Sequence, residues 1–469
     1  MRRGRATAVV GRPVAGAPRV QVPVARWAAV AGLAVALAVG QLSGPPGAAA
    51  APSWDDSVYE TAPDARPVQG AAGGTGGPRL TPGTYTDTIS TGRRKSYLVA
   101  LDDSSNAYVS AVLAPPPGSA VGSGDGIRVT LESPDGARCS VSNDITFGST
   151  TGGPVADYST RRIGAGRECQ RAGDYLYTVE WIGSSSGGPD ARSWPVELRY
   201  MAEPGLRDGA TAPAPPSAWP SHAAEHVTGP ARPVGGGTGF NDAPAVGHGA
   251  WRDELDPGET RFYKVPLEWG QQLFLDAEFA ARADGRPSAK VAGARSLVSD
   301  GLRLSVFNTA RGFAESAESA YTGGPATVSV GTAPAAFANR TSSQDGTSAM
   351  RFSGWYYVRV SLDRRIGRAL PMTLRVDIEG QRQSGPEYDG DPVAAGFGVT
   401  DEGRAAAADG RVTDDGGNGE RDLALTVVGF SGIGLGTVLL LGLLVWTVLG
   451  RRRQGRHASA PTPWEPRAH

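Results

Sequence analysis

Few residues in this chain have the types and spacing that chemistry needs. The run His222-Ala223-Ala224-Glu225-His226 reads H-x-x-E-H. On a helix His222 and His226 would share one face, and Glu225 could polarise a zinc-bound water. A working site also needs a third ligand and a rigid enclosure, and this run lies among prolines and glycines. A zinc metallohydrolase built on His222, Glu225 and His226 is therefore the remote alternative; solvated linker histidines are the expectation. Gly183-Ser184-Ser185-Ser186-Gly187 fits G-x-S-x-G, but a nucleophile elbow requires a strand before it and a helix after it. Gly188-Pro189-Asp190 follows instead, which reads as a hairpin loop. The histidines before the C-terminal apolar run are His222, His226 and His248, so a Ser-His-Asp triad would have to recruit one of them. Asp87 and Asp253 recur at equivalent positions, where a carboxylate beside a strand turn caps backbone N–H groups. No catalytic residue, cofactor or metal ligand is assigned, and the chain reads as a non-enzyme.

The other reactive pair is Cys139 and Cys169. In an exported chain an isolated pair most simply forms one disulfide; two free buried thiols are the alternative. Export is read from the N-terminus. Arg2, Arg3, Arg5, Arg12, Arg19 and Arg26 precede an apolar stretch from Trp27 to Leu42, and Ala48-Ala49-Ala50 supplies a cleavage site. Residues 1–50 thus read as a signal peptide, with an uncleaved anchor as the alternative. The formal net charge of −1 gives no basic excess for nucleic acid. The 66 Gly and 36 Pro favour turns and linkers over helix bundles.

The elements that position these residues occur twice. Gly83, Tyr85, Asp87, Ile89, Gly92, Tyr97, Val99 and Leu101 match Gly249, Trp251, Asp253, Leu255, Gly258, Tyr263, Val265 and Leu267 at a constant spacing of 166. Further landmarks repeat in order: Ile127–Leu131 with Leu302–Val306, Gly173-x-Tyr175 with Gly354-x-Tyr356, and Pro195-x-x-Leu198 with Pro371-x-x-Leu374. Apolar residues alternate along each run, the mark of antiparallel strands packed on one face. Asp256-Pro257-Gly258-Glu259 suits a type II turn. Pro266 places its strand at an edge or a bulge. Residues 281–300 and 311–350 carry little strand signal and read as loops. Asn339-Arg340-Thr341 is a formal glycosylation triplet. The expected class is all-β: two tandem antiparallel, jelly-roll-like sandwiches over 80–204 and 241–380. A flexible leader (51–79), a Pro/Gly linker (205–240) and a disordered stalk (381–422) flank them.

Leu423 to Leu449 contains no charged residue and is long enough to span a bilayer; Arg451, Arg452 and Arg453 follow it. This predicts a single-pass plasma-membrane protein with its modules outside and residues 450–469 as a basic cytoplasmic tail. Gly432 and Gly436 form G-x-x-x-G, which lets helices approach closely, so self-association or assembly as an accessory subunit of a membrane complex is the second reading.

The order and duplication of these strand landmarks resemble the pre-peptidase C-terminal (PPC) domain family, compact β-sandwiches appended to secreted proteases and surface proteins. Gly237–Pro244 through Val265–Gln271 also resembles actinobacterial membrane-anchored ectodomains of the von Willebrand A-associated type, although no von Willebrand A domain fits here. The duplicated β pattern, the signal peptide, the membrane span and the absence of a catalytic cluster together predict an extracellular spacer, adhesion or partner-binding ectodomain, with an envelope protein or polysaccharide as a candidate partner. Some family members bind calcium near the strand matching 127–131 and 302–306; Arg128 and Arg303 stand there and argue against it.

Overall fold

The computed structural model describes residues 58–413 apart from 75, 117–118, 120, 142–143, 148–152, 165–166, 184–192, 209, 211–212, 215, 217, 222–226 and 282–296. The first copy contains β1 (Arg66–Pro67), β2 (Arg79–Leu80), β3 (Gly83–Ser90), β4 (Arg94–Leu101), β5 (Asn106–Leu113), β6 (Gly126–Glu132), β7 (Arg138–Val141), β8 (Ile145–Thr146), β9 (Val155–Arg161), β10 (Gly173–Ile182) and β11 (Ser193–Glu203). One sheet runs β1-β3-β11-β5-β9. The other runs β2-β4-β10-β6-β7, with β8 also on β6.

The second copy contains β12 (Arg232–Pro233), β13 (Gly249–Leu255), β14 (Thr260–Leu267), β15 (Gln272–Phe279), β16 (Val298–Phe307), β17 (Phe313–Tyr321), β18 (Ala326–Gly331), the short α1 (Asp345–Ala349), β19 (Gly354–Leu362) and β20 (Leu370–Glu379). Its sheets run β12-β13-β20-β15-β18 and β14-β19-β16-β17. The order β1-β3-β11-β5-β9 corresponds to β12-β13-β20-β15-β18 and β4-β10-β6-β7 to β14-β19-β16-β17, so the chain holds two sandwiches of one topology, with β2 and β8 added on the first among the described residues. The sheets are antiparallel except where β1, β2 and β12 add as short parallel edge pairs.

The predicted alternation is what fills each core. Tyr97, Val99, Val129, Leu131, Tyr175, Tyr177 and Leu198 are buried in the first sandwich, and Tyr263, Val265, Leu302, Leu304, Tyr356 and Leu374 in the second. β14, with Pro266, is an edge strand of its sheet, where a missing N–H costs no ladder bond. Gly258 has φ +86°, and Glu259 N–H donates to the Asp256 carbonyl at 3.0 Å, closing the expected turn. Cys139 and Cys169 are disulfide-bonded across a separation of 30 residues, worth roughly 3–4 kcal/mol by loop closure.

Several expectations are corrected. The leader is not wholly flexible: β1 within it and β2, which begins at its last residue, extend both sheets of the first sandwich. Residues 311–350 are not loop, since β17, β18 and α1 lie there. Pairing with β16 and β15 makes strands of these sequences, whose own side chains are small, charged and largely exposed. The linker lies along the second sandwich, with Val227 and Val234 buried and Gln272 donating to the Pro220 carbonyl at 2.8 Å; its described residues contain no helix. The described part of the stalk, 381–413, is folded against the sandwiches. It pairs Tyr388 with Leu206, buries Phe397 and Val399, forms α2 (Asp401–Asp409) and pairs Val412 with Pro244. A few well-placed apolar side chains hold a stretch whose average composition is that of a coil. Among the described residues no helix is long and apolar enough to cross a membrane. Residues 1–50, expected to be a signal peptide, the apolar segment 423–449 with Gly432 and Gly436, and residues 450–469, expected to be a cytoplasmic tail, lie outside them.

Candidate functional site

The most elaborate side-chain chemistry lies where the two sandwiches meet. The outward face of β5, β9 and β11 packs on the outward face of β14, β16 and β19. Val112 and Ala156 of the first copy join Phe262, Phe307, Trp355 and Tyr357 of the second in one cluster, with Val399 and Ala407 of the C-terminal segment. A second cluster holds Tyr108 and Met201 with Phe352 and Phe397; the Tyr108 and Phe352 rings meet edge to face at 4.8 Å.

Of the carboxylates sunk in this seam among the described residues, Glu197 and Glu203 are ion-paired across it. Glu197 pairs with Arg311, both almost wholly buried. It also accepts from Tyr59 Oη at 3.2 Å, the Ala62 N–H at 2.9 Å and Asn241 Nδ2 at 2.9 Å. Burial is the largest single influence and works against the Arg311 charge, but the facing Glu197, with Tyr59 and Tyr357, together more than offset it and the guanidinium's pKa is raised. Arg311 sits at φ +65° in the β16–β17 turn, a strained region for a side-chain-bearing residue. Its guanidinium reaches Asn241 Oδ1 at 2.6 Å and lies over the Phe240 ring. Glu203 accepts from Arg340 at 3.2 Å, Tyr108 Oη at 2.8 Å, Tyr388 Oη at 2.6 Å and Asn106 Nδ2 at 2.9 Å. Burial, then the Glu203 charge, pushes the Tyr388 hydroxyl well above its ordinary range. Carboxylates so fully supplied with donors hold surfaces together and have no lone pair free for a substrate proton.

The repeated aspartates form a matched clasp. Asp87 Oδ2 accepts from the Gly70 N–H and Tyr97 Oη, both at 2.7 Å. Asp253 Oδ2 accepts from the Gly236 N–H at 2.8 Å and Tyr263 Oη at 2.7 Å. Each carboxylate caps backbone as expected, although the N–H it holds belongs to the segment after β1 or β12. Above each clasp an arginine stacks on an aromatic ring: Arg66 on Tyr85 at 4.3 Å and Arg232 on Trp251 at 3.9 Å.

Two clefts open on the second sandwich. One, of about 290 Å³, lies between Trp219, Glu315, Thr332, Gln344 and Met350. The other, of about 320 Å³, has Pro266, Ile378 and Ala407 in its walls and Arg232, Arg382 and Arg404 around it. Glu268 receives Arg404 at 2.7 Å and Arg382 at 3.0 Å.

Among the remaining sequence candidates, His222, Glu225, His226 and Ser184–Gly187 lie outside the described residues. His248 is exposed and contacts Asp377 at 3.1 Å. Asn339 is buried, its Nδ2 donating to the Pro334 and Met350 carbonyls at 2.8 Å, so the glycosylation triplet presents no accessible amide. Among the described residues no group of three or more His, Cys, Asp or Glu side chains is placed to hold a metal ion.

No protein-family model matches the chain, and no curated protein matches it. Solved structures similar to it include the CBM22-1–CBM22-2 tandem of Xyn10C from Paenibacillus barcinonensis, at TM-score 0.17 and 11% identity, covering 64% of this chain and 92% of that one. The tandem CBM51 modules of the family 98 glycoside hydrolase from Streptococcus pneumoniae SP3-BS71 give TM-score 0.16 and 9% identity, covering 63% and 83%. The ANX1 ectodomain from Arabidopsis thaliana gives TM-score 0.15 and 9% identity, covering 67% and 92%. At such scores nothing about what those proteins bind passes to this chain.

Proposed function

We propose that this chain is a non-enzymatic, single-pass envelope protein whose two jelly-roll-like sandwiches, of the PPC type they resemble, form a rigid extracellular spacer or partner-binding ectodomain. The observation that carries the reading is the seam. Its buried Glu197–Arg311 and Glu203–Arg340 pairs and its shared aromatic clusters fix one sandwich on the other, as suits a body that presents a surface at a set distance. Envelope proteins or polysaccharides would meet its exposed loops and edges. The signal peptide, the apolar segment 423–449 and the arginines after it supply the orientation.

The test is protease treatment of intact host cells carrying the full chain with a C-terminal epitope. Digestion of the sandwiches with the epitope retained on a membrane-bound fragment is expected. Sandwiches that resist protease until the cells are lysed would refute the orientation.

A further inference from the structure

The cleft between β14, the end of β20 and α2 is built unlike the rest of the surface. Its walls include Pro266, Ile378 and Ala407, while Arg232, Arg382, Arg404 and His248 line it against a single lining carboxylate, Glu268. One carboxylate thus serves two guanidiniums. Arg404 also pairs with Asp401, and Arg382 keeps 54% of its side chain exposed. Arg232 lies flat on Trp251 and donates to the Ala408 carbonyl, which fixes its charge at the cleft. An apolar wall beneath clustered guanidiniums suits an amphipathic anion, with its phosphate among planar, many-donor groups and its hydrocarbon against the wall.

The position of the cleft says where such an anion would come from. Ala407, in its wall, accepts from the Gly247 N–H at 2.7 Å, and the chain then turns back so that the Ala245 N–H donates to the Arg411 carbonyl at 2.8 Å. The last described carbonyl, that of Thr413, is held by Lys264 Nζ at 2.9 Å. Lys264 precedes Pro266 by two residues on the same face of β14, a separation of about 7 Å. Nine residues, 414–422, then separate this point from the apolar segment, a tether of at most about 30 Å.

We propose that this cleft is a docking site for an anionic phospholipid of the membrane in which the chain is anchored, so that the rigid ectodomain stands with α2 against the bilayer. The inference rests on the anchored reading above. A leaflet that carries anionic lipid attracts the guanidiniums over a Debye length, against the opposing charge of Asp401, Glu402 and Asp409 on α2, and the short tether keeps them within reach.

The experiment is hydrogen exchange on the full chain in nanodiscs of phosphatidylcholine alone or mixed with phosphatidylglycerol. Peptides covering 378–383 and 404–411 should exchange roughly fivefold more slowly in the mixed discs, about the factor one guanidinium supplies near an anionic surface. Arg382→Glu should abolish the difference and Arg382→Lys should largely keep it. Should Arg382→Glu disturb the strands, Arg382→Gln removes the charge more gently. Equal exchange in both discs overturns the proposal. Equal slowing by octanoate in neutral detergent, with no bilayer present, overturns the membrane as source. Failure of the chain to enter either disc overturns the anchored reading, and the docking site with it.

Discussion

Removing the cation from the buried pair at the seam is the sharpest perturbation available. In Arg311→Met, Glu197 keeps Tyr59, the Ala62 N–H and Asn241 as donors but loses its countercharge in a site that is almost wholly buried. Breaking such a pair from one side costs about 3–5 kcal/mol, because a desolvated charge is left behind. Glu197→Gln strands Arg311 in the same way and should cost a similar amount. Taking both away together leaves no orphaned charge. The double variant should therefore lose at least about 3 kcal/mol less than the sum of the two single losses in a mutant cycle. Arg311→Gly serves as a control, since it loses the same charge but relieves a φ of +65°, and should cost about 1 kcal/mol less than Arg311→Met. If the sandwiches unfold together, roughly 350 residues at ~2.1 cal/mol/K each convert a 4 kcal/mol loss into a fall of about 5 °C in Tm. The assay is thermal unfolding of the full chain in mild detergent, followed by tryptophan fluorescence and circular dichroism. Single losses below about 1 kcal/mol would place the pair among exposed ones, and two separate transitions of which one moves would show that the sandwiches are not welded. Either result refutes the reasoning.

Two further perturbations test neighbouring claims. Burial lifts Asp157, whose Oδ1 accepts from the Phe313 N–H of the other sandwich, from the usual 3.8 to about 7, and nearby Asp345 adds to the effect. A raised carboxyl pKa means that its stabilising contribution is complete below about pH 4 and is lost as pH rises through 7, by roughly 4 kcal/mol. Asp157→Asn cannot titrate, so its stability relative to the native chain should climb by about that much between pH 4 and 8; a difference independent of pH would show that Asp157 does not carry the effect. At the clasps, a Cβ on Gly70 would fall 2.6 Å from Tyr97 Cζ, and one on Gly236 would fall 2.8 Å from Tyr263 Cζ and Arg261 Cβ. Gly70→Ala and Gly236→Ala should each destabilise by about 1–3 kcal/mol in urea titrations, and unchanged midpoints would mean the two segments are not held as described.

What could be read from the chain was whatever carries a single apolar face. Tyr97–Leu101, Ile127–Leu131 and Tyr263–Leu267 alternate because one side meets a core and the other does not. β5 defeats that logic, since all of Asn106–Leu113 is buried, one face in the first core and the other in the seam. β17 defeats it from the opposite side, because Phe313–Tyr321 is largely exposed. A usable signal did exist for the leader: Ala65-Arg66-Pro67-Val68 recurs as Ala231-Arg232-Pro233-Val234 at the same spacing of 166. It extends the repeat to β1 and β12 and to the stacked arginines. The seam had no such trace. Glu197 and Arg311 lie 114 residues apart, and Glu203 and Arg340 137 apart; only the fold makes them neighbours.

The seam also explains why two copies form a closed pair. It joins different faces of related domains, an arrangement that could in principle repeat without end. Each face buried in the seam therefore has a counterpart on the other copy that takes no part in it. Where the second copy offers Phe262, Trp355 and Phe307, the first has Ser96, Asp174 and Glu132, and the last two are paired with Arg79 and Arg138. Where the first offers Val112, Ala156 and Met201, the second has Glu278, Thr327 and Asp377, with Glu278 paired to Arg375 at 2.7 Å. A third module docking on either end would have to bury ion pairs against apolar surface, at several kcal/mol for each stranded charge. Two sandwiches of one topology have thus diverged in opposite senses on opposite faces, which yields one adhesive seam and two charged ends from a single repeated design.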